Sequence, residues 1–225
     1  MYKAILWDMD GTLVDSEPLW GIATYEMSEA VGRRLTPELR ARTVGGTFTN
    51  TLNICAQHAG VSLTEEQAAG HKKQLFSRMH ELFATKLELR PGVKELLTTL
   101  KAAGTPMMLV TNTNRELADP AIDTIGRDFF VGTLCGNEVG KGKPDPEIYV
   151  TAASRLEVEP QECLVFEDSN AGMASATAAG CRVIGLPEHG GVPEAAKDMR
   201  QLHGSTSFLG VTPELLASWY ATFNS

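Results

Sequence analysis

Four short runs in this chain, YKAILW, PMMLVT, ECLVFED and RVIGL, are apolar at consecutive positions instead of alternate ones. A strand with one wet face alternates, whereas a strand apolar on both faces must be covered on both, as inside a parallel sheet layered with helices. The stretches between the runs are long enough for helices. PGVKELLTTLKAAG places Leu96, Leu97 and Leu100 on one face and stops at Gly104, and DPEIYVTAASRLEV carries apolar residues at helical intervals. Strand and helix in alternation predict an α/β fold, a Rossmann-like doubly wound parallel sheet.

From about residue 16 to residue 88 the alternation stops. LWGIATYEMSEAV, TNTLNICAQHAG and TEEQAAGHKKQLFSRMHELFATKL follow one another with no convincing strand. The predicted organisation is therefore a sheet core built from residues 1–15 and 89–225, with an all-helical cap inserted at 16–88. The junctions are short, near Asp15 and at Leu89-Arg90-Pro91-Gly92, which predicts a cap that moves against the core. Within the cap, Met27, Leu75, Phe76, Met79 and Phe83 read as core, and Gly45-Gly46 as a turn between helices. A chain of 225 residues with 43% apolar content buries enough surface for this plan.

The charge balance excludes several partners. With 20 Lys and Arg against 28 Asp and Glu the net charge is −8, and no window concentrates basic and aromatic residues, so nucleic acid is not an expected ligand. No apolar run approaches the ~20 residues that span a bilayer, and no basic and apolar leader precedes the first strand, so neither membrane insertion nor export is expected. Cys55, Cys135, Cys163 and Cys181 form no CxxC pair and read as reduced thiols, which favours a cytoplasmic protein. His58, His71, His80, His189 and His203 lack metal or triad spacing, and HGG at 189–191 reads as a surface loop. The expected working unit is a monomer.

In open α/β sheets, ligands gather at the carboxyl ends of the strands. There the sequence places Asp8-Met9-Asp10-Gly11-Thr12 after the first strand and Thr111-Asn112 after the second; GKGKPDP lies ahead of a later helix, and Glu167-Asp168-Ser169-Asn170 follows a later strand. Each has a plain structural reading. Asp8 can form a turn, and Thr111, Asn112 and Asn114 can start a helix. Lys141 and Lys143 can be solvated, and the last group can be an acidic helix start. Brought to one rim, however, four carboxylates repel one another until a cation or a proton intervenes. Oxygen ligands point to Mg2+, which would keep positions open for water and a substrate phosphate, while a lysine and a hydroxyl serve the other phosphate oxygens. The arrangement fits phosphoryl transfer.

D-x-D-G-T-L at 8–13, Thr111, G-K-P-x-P at 142–146 and VFEDSNAGMASATAAG at 165–180 resemble, in order and spacing, the haloacid dehalogenase superfamily, most closely its β-phosphoglucomutase-like phosphohydrolase branch. That branch also carries a helical cap after the first motif, and its members include sugar-phosphate phosphatases, phosphoglycolate phosphatases and phosphomutases. The resemblance implies that Asp8 is the nucleophile forming an aspartyl-phosphate and that Asp10 is the acid that protonates the leaving oxygen, then the base that deprotonates water. It implies that Thr111 and Asn112 bind the transferring phosphoryl group and that Lys143 steadies its charge. Asp8, Asp168, the backbone carbonyl of Asp10 and Glu167, directly or through water, would hold the metal. Thr47, Phe48, Thr49 and Asn50 fall in the cap loop that presents specificity residues in relatives. The expected reaction is hydrolysis of a small phosphorylated metabolite, a sugar or polyol phosphate. A phosphomutase is the alternative, yet mutases of this branch carry a lysine and an arginine in the cap loop. Here Val44 and Phe48 take those positions, and residues 43–52 contain no Lys or Arg. Arg40, Arg42, Lys72, Lys73 and Arg78 remain elsewhere in the cap as cations that could supply charge from another direction. A phosphoaspartate signalling domain or a non-catalytic binding module is the alternative of another class, disfavoured by Asp10 and the inserted cap.

Overall fold

The computed structural model describes residues 1–44, 46–187 and 190–224. The turn read at Gly45 and the loop read at His189 therefore lie outside the described residues. By internal contacts the chain divides into two compact units, Met1–Asp15 with Glu88–Ser225, and Ser16–Leu87.

The first unit is built on a six-stranded sheet of β1 (Ala4–Trp7), β2 (Met107–Thr111), β3 (Gly132–Cys135), β4 (Cys163–Glu167), β5 (Arg182–Gly185) and β6 (Lys197–Asp198), in the order β3-β2-β1-β4-β5-β6. Every neighbouring pair is parallel, with Ile5 opposite Met107 on one side of β1 and Leu164 on the other. Central β1 is buried at all its positions. Trp7 stacks on Phe166 with ring centroids 4.5 Å apart, and both meet Phe208 edge-on at 5.6 and 5.5 Å. Ala4, Leu6, Val110, Leu134 and Val165 join Ile148, Tyr149 and Met173 in another core cluster. These last three belong to α7 (Glu147–Arg155) and α8 (Asn170–Ala178). Strands apolar on consecutive positions are thus covered twice, as the sequence pattern requires.

Two strands have no such run. β3 reads Gly-Thr-Leu-Cys and is buried only in its second half, and β6 is two residues long. Both lie at sheet edges, where one side of the ladder needs no apolar cover. The remaining helices are α5 (Val93–Ala102), α6 (Arg115–Ile125), α9 (Met199–His203) and α10 (Pro213–Ala221). Leu96, Leu97 and Leu100 form the buried face of α5, as their spacing predicts.

The second unit is helical: α1 (Glu17–Val31), α2 (Pro37–Ala41), α3 (Phe48–Ala59) and α4 (Glu65–Lys86), with α1 packed on α3 and α4. A Thr64/Gln67 capping box starts α4, and Met27, Leu75, Met79 and Phe83 are buried. Phe76 of the predicted stripe is half-buried, with Lys72 Nζ 5.4 Å from its ring centroid. Two of this unit's cations are already committed to carboxylates: Arg40 to Glu17 at 2.5 Å, and Arg78 to Glu26 at 2.8 Å and Glu81 at 2.8 Å. Thr47 is the N-cap of α3, its hydroxyl accepting from the Asn50 N–H at 3.2 Å. Phe48 is half-buried, and Thr49 and Asn50 are exposed.

Candidate active site

Because the strands are parallel, their carboxyl ends share one edge, and winding reverses at β1, between β2 and β4. Three loops leave that point. After β1 the chain turns tightly, with the Leu13 N–H donating to the Met9 carbonyl at 2.9 Å and the Gly11 N–H to Val14 at 2.9 Å. Gly11 holds φ +80°, and a Cβ there would run into the Asp168 carboxylate, so the position needs glycine for backbone and for space. Arg90, at the return junction, donates to the Gly11 carbonyl and to Thr206.

β2 delivers Thr111, Asn112 and Thr113. The buried Thr111 hydroxyl accepts from the Thr113 N–H at 3.1 Å, and the Thr113 hydroxyl donates to Asp10 Oδ2 at 2.8 Å. Asn112 brackets the backbone of Lys143, its Oδ1 accepting from the lysine N–H at 2.8 Å and its Nδ2 donating to the lysine carbonyl at 3.0 Å. The lysine is thereby anchored at its root, and its side chain is 3% exposed. Its three ammonium protons meet three acceptors: Asp8 Oδ1 at 2.6 Å, Glu167 Oε1 at 2.6 Å and the Val110 carbonyl at 2.9 Å. Lys141, in contrast, is 74% exposed along its side chain and 3.6 Å from Asp145.

β4 ends in Glu167 and Asp168. Glu167 is fully buried. Its Oε1 also accepts from the Tyr149 hydroxyl at 2.7 Å, and its Oε2 accepts from the Ser169 N–H at 3.3 Å and hydroxyl at 3.1 Å. Ser169 is at once the N-cap of α8, accepting from the Gly172 N–H at 3.0 Å.

Asp8, Glu167 and Asp168 each offer a carboxylate oxygen, and these oxygens lie within 4.8 Å of one another. Asp8 Oδ2 is buried without a hydrogen-bond partner. A buried carboxylate oxygen left unpaired among further carboxylates is a seat for a cation, and oxygen donors suit a hard one. The side chain of Asp10 is not in this group but stands with Thr113. One ammonium does not balance three carboxylates. Burial, then Glu167, pushes the Asp8 carboxyl well above its ordinary range against the opposing pull of Lys143, and the same two causes push Asp168 up to about 7. For Lys143, burial acts downward, but Asp8 and Glu167 outweigh it and keep the ammonium charged. Burial and Glu167 likewise hold the Tyr149 phenol protonated.

These shifts fix a sign. Between the ordinary value of 3.8 and about 7, folded protein without a cation holds a proton on Asp168 that the unfolded chain has released, so stability falls as pH rises through that window. In chelator, the melting temperature is expected to be lower at about pH 8 than at about pH 5, measured by near-UV circular dichroism; an equal or higher value at pH 8 would contradict the crowding of carboxylates.

The sequence reading left Thr113, Tyr149 and Arg90 without a role at this site. Tyr149 sits on the apolar face of α7, where helical spacing marks it as core; nothing in that spacing shows its hydroxyl turned to Glu167.

The haloacid dehalogenase-like hydrolase model matches residues 2–180. Among curated relatives, the phosphorylated carbohydrates phosphatase of Thermotoga maritima is 32% identical over 186 residues, 82% of this chain and 85% of that protein. Hexitol phosphatase A of Escherichia coli is 33% identical over 187 residues, 82% of each chain. Among solved structures, CbbY from Rhodobacter sphaeroides in complex with phosphate has a TM-score of 0.80 at 26% identity, covering 96% of this chain and 100% of that one. A sequence pattern matched along most of the chain, carried on a parallel sheet whose switch point gathers the matched carboxylates and lysine, places this chain in the haloacid dehalogenase-like hydrolase family.

Proposed function

We propose that the chain is a Mg2+-dependent phosphatase that hydrolyses a small phosphorylated metabolite of the sugar- or polyol-phosphate class through an aspartyl-phosphate on Asp8. The observation that carries this reading is the state of Asp8, buried at the switch point with one oxygen on Lys143 and the other unpaired. The substrate class is supported by the named activities of the carbohydrate-phosphate and hexitol phosphatases.

Asp8 and Asp168 are the proposed carboxylate ligands of Mg2+, with the Asp10 backbone carbonyl beside them and Glu167 directly or through water. When bound, the ion supplies positive charge to the crowded carboxylates and the transferring phosphoryl group. A carboxylate oxygen of Asp8 attacks phosphorus while the bond to the leaving oxygen breaks. Lys143 holds Asp8 in place and offsets charge on the phosphoryl oxygens. Thr111, through its hydroxyl, and Asn112, through its backbone N–H, are the proposed donors to those oxygens, since the Asn112 side chain is spent on Lys143. Asp10, steered by Thr113, protonates the leaving oxygen. It then takes a proton from the water that attacks phosphorus and frees Asp8. The helical unit is the proposed cap, with selectivity carried by Thr47, Phe48, Thr49 and Asn50. We place the enzyme in the cytoplasm as a monomer; among the described residues the four cysteines are free and buried, and no helix is long and apolar enough to cross a membrane.

Asp10→Asn is expected to lower turnover at least about a hundredfold, and more for alkyl than for activated aryl phosphates, because good leaving groups need no proton. Equal losses for both classes would contradict the acid role. The function itself is tested by phosphate release from a panel of sugar and polyol phosphates with Mg2+. Alongside it, β-glucose 1-phosphate with a priming bisphosphate is followed for both inorganic phosphate and glucose 6-phosphate. Release of phosphate is the expected result; isomerisation much faster than release would make the chain a mutase.

A further inference from the structure

Glu167 is the most fully committed carboxylate in the site. An ionised carboxylate offers about four lone-pair positions. Oε1 accepts from Lys143 Nζ at 2.6 Å and the Tyr149 hydroxyl at 2.7 Å, and Oε2 from the Ser169 N–H at 3.3 Å and hydroxyl at 3.1 Å. Gly172 closes the seat, since a Cβ there would overlap the Glu167 carboxylate. Asp8 differs, with Oδ1 on Lys143 and Oδ2 unpaired. The capacity left for direct ligation of a cation is on Asp8 and Asp168; Glu167, filled by Lys143, Tyr149 and Ser169, would serve a cation only through water.

We infer that Tyr149 is a positioning residue: its hydroxyl fills Glu167 and commits that carboxylate to Lys143, so that the ammonium stands fixed against Asp8. The inference rests on the reading of Asp8 and Lys143 given above. Tyr149 is buried in the core cluster, and its ring centroid lies 5.1 Å from Lys143 Nζ. Removing only the hydroxyl keeps the ring, the packing and that cation–π contact. It leaves Glu167 Oε1 with one donor in place of two and removes the contact that, with those from Ser169, sets the angle of the carboxylate toward the lysine. Loss of a buried hydrogen bond to a charged group corresponds to about tenfold in rate when the fixed geometry is what reaction requires.

The test is Tyr149→Phe in the full chain, with the Lys143 ammonium followed by proton–nitrogen NMR without substrate or metal and assigned by its absence in Lys143→Met. Three filled donors on a buried amine make its protons slow to exchange and visible. In Tyr149→Phe the resonance is expected to shift or broaden and kcat to fall about tenfold, while KM and the Mg2+ affinity from calorimetry stay within about twofold. An unshifted resonance, an unchanged kcat, or Mg2+ affinity weakened about tenfold would overturn the inference, the last by making Glu167 a direct ligand of the cation. Because the resonance is read without turnover, failure of the phosphatase reading would show as absent phosphate release with the shift intact.

Discussion

Asp8→Asn is expected to abolish turnover, by about four orders of magnitude or more, the scale on which removal of a covalent nucleophile is felt. The amide has nearly the same shape, and its oxygen still accepts from Lys143, so the seat at the end of β1 survives. What is lost is the nucleophilic carboxylate and one of three crowded charges. Since burial and Glu167 already disfavour ionised Asp8 in the absence of a cation, the variant in chelator is expected to melt no lower than wild type. Single-turnover phosphate release and thermal unfolding, measured on the same preparation, separate the two statements. Turnover near wild type would remove Asp8 from the chemistry, and a collapsed melting temperature would mean that its charge holds the fold.

Lys143→Ala is expected to be damaging twice over. Its side chain is 3% exposed and pairs with Asp8 and Glu167, which are 9% and 0% exposed along theirs. Removing one member of a buried ion pair strands the others, with losses of about 3–5 kcal/mol in stability. Catalytically, the site would lose the ammonium that pairs with Asp8, and a loss of about a thousandfold in kcat is expected from losing such a charge-stabilising donor. Lys143→Met, which fills the volume and keeps no charge, separates a packing defect from the missing charge. Urea unfolding and saturating kinetics measure the pair of effects. Lys141→Ala, in the same loop but exposed, is the comparator and is expected to stay within about twofold. A crippled Lys141→Ala beside an unaffected Lys143→Ala would reverse the choice of lysine.

Two-sided apolar runs made four of the six strands legible, because central parallel strands must be buried on both faces. β3 and β6 escaped the pattern for the same physical reason, an edge position that relaxes the need for apolar residues. The charged residues of the site were legible where their chemistry is unusual for a strand end: Asp8, Asp10, Glu167 and Asp168 are poor company for one another unless something binds there. Their supporting cast was not. Tyr149 looks like core because it is core, and only its hydroxyl takes part. Thr113 and Arg90 act through a hydroxyl on Asp10 and a guanidinium on the Gly11 carbonyl, contacts 103 and 79 residues apart in sequence that no local pattern encodes. Asn112 shows the converse, a residue matched to phosphate binding whose side chain is used to hold the lysine loop.

The most direct measurement is chemical trapping of Asp8. A turning-over sample with Mg2+ is quenched and reduced with borohydride, which converts an acyl phosphate to the alcohol and leaves free carboxylates untouched, and the chain is then sequenced by mass spectrometry. Homoserine in place of aspartate at position 8, dependent on substrate and missing from Asp8→Asn, is the expected result. Homoserine at position 10 instead, or unmodified Asp8 in a sample shown to be under full turnover with the intermediate accumulating, would contradict phosphoryl transfer through Asp8.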